Sequence, residues 1–376
     1  MSIAGKKVLI IGGGFSGMSA AIELRKRGAE VDLVEIDPGW RSYGAGISLG
    51  SATLRAFKTL GVLDEFLRLG YASDGVQLHT ANGRLIATVP TPRLAGPDVP
   101  GGGGIMRPVL AAILARATRE SGAKVRLGVT FETIAEGGQG VDVAFSDGVR
   151  ASYDAVIGAD GLYSKTRAFL FPDAPRPRYA GQAVWRAVLP RPAEVQNPMM
   201  WIGHKVKAGL NPVSQQEMYL FVTEDRPSND LVDPSQFLPL LSALIQGFTT
   251  PIMEGVKAAL GADSHIVYRP LEAMLLPRPW FSGRVTLVGD AVHATTPHLA
   301  SGACIGIEDA LVIAEELDSA DSVEAGLAAF ETRRWARCRM VVENSLRLAE
   351  LEIAGGDPVE HGKIMRESMM ALAAPI

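Results

Sequence analysis

At 376 residues the chain exceeds the usual size of one domain, so two domains sharing an interface are expected. A composition that is 47% hydrophobic and 21% charged, with 41 glycines, excludes a disordered chain and suits many turns and close backbone approaches to a ligand. A net charge of -4 with no long basic run argues against nucleic acid or an anionic membrane as partner; two cysteines are too few for a disulfide framework or a cysteine zinc site, so no metal and a reducing, cytoplasmic setting are expected.

Apolar runs such as 8–11 and 285–288 are strand-length, well short of the roughly 20 residues of a membrane span, and no secretory leader precedes the first strand. Residues 7–11 read as a buried parallel strand, followed by Gly12-Gly13-Gly14-Phe15-Ser16-Gly17, a helix over 16–27 and a second strand over 30–35. This βαβ pattern places Gly12, Gly14 and Gly17 in a tight strand-to-helix turn whose amides face a pyrophosphate, with Glu35 placed to accept from ribose hydroxyls. Alone, the motif fits any dinucleotide-binding protein.

Gly44-Ala45-Gly46-Ile47-Ser48-Leu49 lets backbone lie close against a flat ligand, and helical patterns continue to residue 69. Residues 77–80 and 84–89 flank the hairpin turn Asn82-Gly83, and 90–104, rich in proline and glycine, reads as loop. Arg107-Pro108 opens a helix to about residue 120, with the proline in its first turn. Short strands over 124–149, turning at Asp147-Gly148, lead to a strand over 155–157 and then to Gly158-Ala159-Asp160-Gly161. From about 175 to 270 the texture changes to proline-broken strands at 182–189, 205–210 and 218–223 and a helix at 236–244. A buried strand over 284–288 then ends in Gly289-Asp290-Ala291-Val292-His293, ahead of helical patterns over 306–317 and 322–351. The fold class is therefore α/β: a discontinuous Rossmann-like domain from 1–75, 99–173 and 277–376 that includes the C-terminal helices, and a smaller mixed-sheet substrate domain from 76–98 and 174–276.

The first glycine motif, the stretch Gly158-Ala159-Asp160-Gly161-Leu162-Tyr163-Ser164-Lys165-Thr166-Arg167 and the late Gly289-Asp290 together resemble the class A flavoprotein monooxygenases, the single-component aromatic hydroxylases of the para-hydroxybenzoate hydroxylase type, over most of the chain. The resemblance implies bound FAD, with its ADP part at the first motif, Asp160 in a segment serving both FAD and transient NADH or NADPH, and Asp290 on the ribityl chain. Independently of family, Asp290 ends a buried strand, where an unpaired carboxylate is costly and a ribityl hydroxyl is a fitting donor. The resemblance also sets Arg41, Ala45, Gly46 and Arg107 against the cofactor and the backbone of Val129 against adenine. Gly302 and Ala303 precede a helix beginning near Cys304 whose free amides face the flavin's pyrimidine oxygen. Many members carry Gly-Gln-Gly after the proline of the late motif, whereas this chain has Ala300-Ser301-Gly302-Ala303. The stretch Pro297-His298-Leu299-Ala300-Ser301-Gly302-Ala303 followed by Ile307-Glu308-Asp309-Ala310 resembles the branch acting on pyridine acids and salicylate-like acids.

The chemistry this implies is reduction of FAD by NAD(P)H, addition of dioxygen at flavin carbon 4a, and transfer of the hydroperoxide's distal oxygen to a small electron-rich aromatic or N-heteroaromatic ring such as a phenol, hydroxybenzoate or pyridine acid. The protein's share is to hold the ring, exclude water and remove a phenolic proton. His298, with an ordinary imidazole pKa of roughly 6.5, and Tyr219, a donor to a phenolate, are the candidate catalytic groups; His293 reads as structural. Lys207, Asn211, Tyr219, Pro297 and His298 are the candidate substrate contacts. Lys205, Lys207, Gly209 and Asn211 share one strand face and Val206, Ala208 and Leu210 the other, and either face fits the pocket. Trp185 and Trp201 read as core. The alternatives are the same flavin chemistry on a larger polycyclic substrate or as an epoxidase, and a non-catalytic FAD-loaded binding protein; monomer and homodimer both stay open.

Overall fold

The computed structural model describes residues 2–138 and 140–376, and among these the strands form four sheets. The first has six strands in the order Phe281–Ser282, Val285–Leu287, Ala155–Gly158, Lys7–Ile11, Glu30–Glu35, Lys124–Leu127, all parallel except the two-residue edge strand. Val8 and Ile10 pack on one face with Leu24, Ile305, Ile313 and Phe330, from the helices Phe15–Lys26, Gly302–Ser319 and Val323–Ala354. Leu9 and Ile11 pack on the other with Phe131, Val143 and Phe145, from the antiparallel strands Phe131–Gly137 and Gly140–Phe145. Burial on both faces explains why this strand is a continuous apolar run rather than an alternating one.

The parallel register sets Ile11 beside Gly158 and Gly158 beside Leu287. Just past the strand ends, the Ala159 amide donates to the Ile11 carbonyl at 2.7 Å and the Val288 amide to the Gly158 carbonyl at 2.9 Å. Three segments distant in sequence thus leave the sheet side by side at its carboxyl edge, where open α/β sheets bind ligands.

The second large sheet has seven strands in the order Ile266–Leu275, Arg178–Pro190, Glu217–Asp225, Val206–Pro212, Met199–Ile202, Val76–Thr80, Leu85–Val89. Trp185, Ala187, Ala208, Leu210, Leu220 and Val222 bury one face with Leu241, Ile245, Met253 and Val256, from the helices Phe237–Ile245 and Pro251–Ala259. Period-2 alternation then turns Arg186, Lys207, Gly209, Asn211, Tyr219 and Phe221 to the opposite face. That settles which side of the Val206–Pro212 strand looks toward the first sheet: the side carrying Lys207, Gly209 and Asn211.

The structure corrects the loop expected over 90–104. Gly102–Met106 is a strand, paired with both Gly46–Gly50 and Tyr71–Ser73. Consecutive glycines ordinarily mark a loop, but here they admit close neighbours. A Cβ on Gly103 would lie 2.5 Å from the Tyr71 carbonyl oxygen, and one on Gly104 2.3 Å from that of Pro212. The helices Pro251–Ala259 and Pro358–Ala373 add to the expected elements; each follows a capping residue, Thr250 or Asp357, whose side chain accepts from Met253 N or Val359 N. No described helix is long and apolar enough to cross a membrane, and Cys304 and Cys338 are buried and free.

Two glycine substitutions test this packing. Gly104→Ala forces a methyl against the Pro212 carbonyl and should destabilise by about 1–3 kcal/mol. Gly255→Ala, exposed in a helix with nothing within 4 Å of its Cβ position, should stabilise by about 0.5–1 kcal/mol. Urea midpoints of both variants read the opposite signs.

Candidate active site

At the end of the Lys7–Ile11 strand, Gly12 has φ +107°, and its amide donates to the Val34 carbonyl at 2.8 Å. A Cβ there would meet the Ala159 oxygen at 2.4 Å, and a Cβ on Gly17 would meet the Gly12 oxygen at 2.0 Å, so neither position admits a side chain. Gly14 is the N-cap of helix Phe15–Lys26, with no side-chain cap and open space at its Cβ position. The first amides of that helix therefore face a groove suited to an anion. Glu35 accepts from the Gly13 amide at 2.7 Å and the Asp37 amide at 2.8 Å, which fixes its carboxylate beside the turn. Val129 is adjacent, its amide donating to the Glu35 carbonyl at 3.0 Å. Trp40, which sequence reasoning missed, lies against the same loop: its indole donates to the Gly13 carbonyl at 2.8 Å, and Arg119 stacks 4.6 Å above the ring. Arg41 does not join this group. Its side chain is 61% exposed and pairs with Asp37 at 3.0 Å.

The middle and late motifs are joined by buried polar contacts. Asp160 accepts from the Thr166 amide at 2.8 Å, the Thr166 hydroxyl at 2.9 Å and the Ser164 hydroxyl, and so orders the start of helix Lys165–Leu170. Arg167, buried behind it, donates to the Leu162 carbonyl at 2.7 Å and to the Ala291 carbonyl at 2.9 Å. Gly289 has φ +61°, and a Cβ on either Gly289 or Gly306 would lie 2.4 Å from Ser16 Oγ, so the late motif and the following helix close around the Ser16 side chain of the first glycine turn. The Gly289 amide donates to Asp309 at 2.9 Å; Asp309 is fully buried and also takes His293 Nε2 at 2.5 Å and Arg334 Nε at 2.8 Å. Burial opposes charge on both partners, but the His293 and Arg334 cations outweigh it and lower the Asp309 pKa, while Asp309 holds His293 well above the usual imidazole range.

Asp290 is exposed to the cleft and walled by protein elsewhere, which pushes its pKa up against the pull of His293 and Arg107. Among the described residues no protein donor reaches its carboxylate. A carboxylate set among protein walls, open on one side and without a protein donor, suits a ligand rich in hydroxyls. Arg107, half-buried, donates its amide to the Ala45 carbonyl at 3.2 Å and packs against Gly44; burial lowers its pKa, against the pull of Tyr219 and Asp290. A Cβ on Gly46 would meet the Tyr219 ring at 2.2 Å, so the ring rests on the Gly46 backbone, and its hydroxyl hydrogen-bonds Ser48 Oγ at 2.6 Å. Asn211, 6% exposed, sits opposite Tyr219 in the sheet. Gly302 and Ala303, half-buried, open the Gly302–Ser319 helix, which has no side-chain cap.

Two expected ligand contacts are engaged by the protein itself. Lys207 Nζ lies 2.6 Å from Glu352 Oε1. The His298 side chain is 1% exposed, with Nδ1 at 2.9 Å from Thr296 Oγ1 and Nε2 at 2.9 Å from Gln182 Oε1 and 3.4 Å from Glu352. Burial lowers the His298 pKa despite the Glu352 carboxylate. Pro297 beside it is exposed. Nothing in the local sequence announced Glu352, which arrives on the long Val323–Ala354 helix; Arg186, also missed, was readable from alternation with the buried Trp185 and Ala187.

Asp309→Asn should destabilise the protein by about 3–5 kcal/mol, because it takes the carboxylate from the buried His293 and leaves Arg334 only Glu308, at 3.1 Å. The His293 part of this stabilisation has a defined direction. A folded pKa raised above the unfolded value of roughly 6.5 contributes fully below that pH and is lost as pH rises through the folded value. The Tm gap between the unaltered chain and the variant should therefore narrow in alkaline solution, measured by circular dichroism from neutral pH upward.

Residues 6–345 match the model of the FAD binding domain family. The chain is 32% identical to the 2-heptyl-3-hydroxy-4(1H)-quinolone synthase of Pseudomonas aeruginosa, over 90% of this chain and 87% of that one. It is 30% identical to the aurachin C monooxygenase/isomerase of Stigmatella aurantiaca, over 92% and 90%. Its fold superposes on Klebsiella pneumoniae HpxO, solved in complex with FAD and uric acid, with a TM-score of 0.82 and 25% identity, covering 98% of this chain and 92% of that one. A match of this extent shows that the chain belongs to the FAD binding domain family and is a flavoprotein monooxygenase of the aromatic hydroxylase type.

Proposed function

We propose that the protein is an NAD(P)H-dependent FAD monooxygenase that hydroxylates a small electron-rich aromatic or N-heteroaromatic ring in the cytoplasm, with residues 76–98 and 174–276 as the substrate-binding unit. The observation that carries this reading is the Tyr219 ring resting on Gly46 with Arg107 within electrostatic reach of both Tyr219 and Asp290, the last at the sheet edge that also holds the Gly12 turn. The relatives' names, a quinolone synthase and a protein crystallised with uric acid, favour a nitrogen-containing ring.

Gly12, Gly14, Gly17, Glu35 and Val129 would hold the ADP half of FAD, with Asp160 shaping the loop between the halves. Ala45, Gly46, Arg107, Asp290, Gly302 and Ala303 would hold the flavin half; Arg41 would join only by leaving Asp37. When bound, FAD supplies the activation of dioxygen, with NADH or NADPH as transient reductant. The chain's own work is positional and protonic. Tyr219, resting on Gly46, presents its hydroxyl to a ring oxygen, and Ser48 at 2.6 Å is the next group to receive or return a proton. Asn211 offers an amide on the same face, and Pro297 borders the entrance. His298 and Lys207 act as positioning residues that tie the wall of the pocket to Glu352.

The test is a panel of hydroxybenzoates, pyridine acids and 4-quinolones scored for stimulated NADH and NADPH oxidation by the FAD-loaded protein. The expected result is stimulation by at least one ring class and a product one oxygen atom heavier. Ligand binding with unaltered NAD(P)H oxidation would overturn the reading. Tyr219→Phe should retain FAD and lower kcat about 100-fold with little change in KM, as removal of a proton-transfer group does.

A further inference from the structure

We propose that Arg186 anchors an oxyanion on the substrate, a ring carboxylate or an ionised ring oxygen, and so fixes the charge class that this site accepts. The inference rests on the hydroxylase reading above and deepens it.

Trp185 and Ala187 are fully buried against the helical side of the seven-stranded sheet, so Arg186 between them faces the cleft. Its register partner is Phe221, and Gly209 pairs with Phe221 from the next strand. A Cβ on Gly209 would meet the Phe221 ring at 2.2 Å, so the ring fills the space above the glycine and forms an apolar floor beside the guanidinium. Two residues back on the same face stands Tyr219 with its Ser48 partner. The floor is thus flanked by a neutral hydroxyl pair on one side and a cation on the other, which matches a flat ring bearing both an oxygen to be activated and a negative group.

Among the described residues no carboxylate pairs with Arg186, and no hydrogen bond reaches its guanidinium. Arginines just past the strand ends are matched, Arg226 with Glu224 at 3.3 Å and Arg191 with the Val195 carbonyl at 2.9 Å and the Gln215 carbonyl at 2.8 Å, while the exposed Arg269 on the neighbouring strand reaches only the Tyr268 carbonyl at 3.5 Å. Lys207, on the same face, is neutralised by Glu352. The carboxylate of Asp290 acts on Arg107 rather than on Arg186. Burial, reinforced by Arg107 and by Arg269 across the sheet, holds the Arg186 pKa down to about 10 against the pull of Tyr219. A guanidinium kept charged in such surroundings is stabilised by an arriving oxyanion, and its planar fork suits a carboxylate in two-point contact.

The experiment titrates FAD-loaded protein with matched probes and follows the flavin absorbance spectrum. The carboxylate arm uses benzoate against benzamide, 3-hydroxybenzoate against 3-hydroxybenzamide and nicotinate against nicotinamide. The ring-oxygen arm uses 4-nitrophenolate against 4-nitroanisole. In at least one arm the anion should bind and its neutral partner bind at least tenfold more weakly. Arg186→Gln should weaken the anion by roughly 10- to 100-fold while leaving FAD content and neutral-probe binding unchanged, and Arg186→Lys should recover part of that loss. Arg269→Gln, at an exposed position, should lose no more than a few-fold. Neutral probes binding as well as anions, full anion affinity in Arg186→Gln, loss of FAD from both Arg186 variants, or no anion binding in either arm would each overturn the proposal. Anion capture through Arg186 without any hydroxylated product would instead remove the hydroxylase reading and leave the anchor standing.

Discussion

The structure depends on a backbone constraint: three loops must leave adjacent parallel strands and pack with no room for a side chain at their glycines. Gly12 against Ala159 and Gly17 against Gly12 are backbone contacts that no Cβ tolerates without a shift of the chain, and Gly289 and Gly306 leave room between them for the Ser16 hydroxyl. Around them, buried charge does the fastening. Arg167 ties the middle motif to the late one, and Asp309, held by His293 and Arg334, fixes the amide of Gly289. The outcome is a rigid turn that leaves the carboxylate of Asp290, one residue on, free for a ligand. Steric exclusion sets the path of the backbone here, and the ion network keeps it there.

The seven-stranded sheet solves a different problem. Its apolar alternates are spent against two helices, which obliges Arg186, Lys207, Asn211, Tyr219 and Phe221 to face the other way. Glu352, from the Val323–Ala354 helix, then neutralises Lys207 and approaches His298, so a helix packed on the first sheet also braces the wall of the second. This division leaves the cleft with a hydroxyl pair, an amide and an unmatched guanidinium, a set fitted to orient a ring rather than to attack it.

Much of this was legible from the chain because the glycine turns and the Gly289-Asp290 step obey local rules: a strand, a tight turn and a helix within a few residues. The loop expected over 90–104 failed for the same reason reversed, since Gly102, Gly103 and Gly104 serve close strand packing rather than turning. The engagement of His298 and Lys207 was not legible, because Glu352 and Gln182 come from remote parts of the fold, whereas the Asp37 partner of Arg41, four residues away, lay within local reach and was overlooked. Arg186 lay within reach of the alternation rule, but the choice between strand faces needed the helices that cover one of them.

Diffraction from crystals grown with FAD tests the central claim most directly. The account predicts one FAD per chain, its pyrophosphate at the Gly12–Gly14 turn, its ribityl hydroxyls on Asp290 and its ring system beside Gly46 and Tyr219. Density for FAD away from this edge, or a chain that takes up no FAD while Gly12, Asp160 and Asp290 keep the positions described, would contradict it.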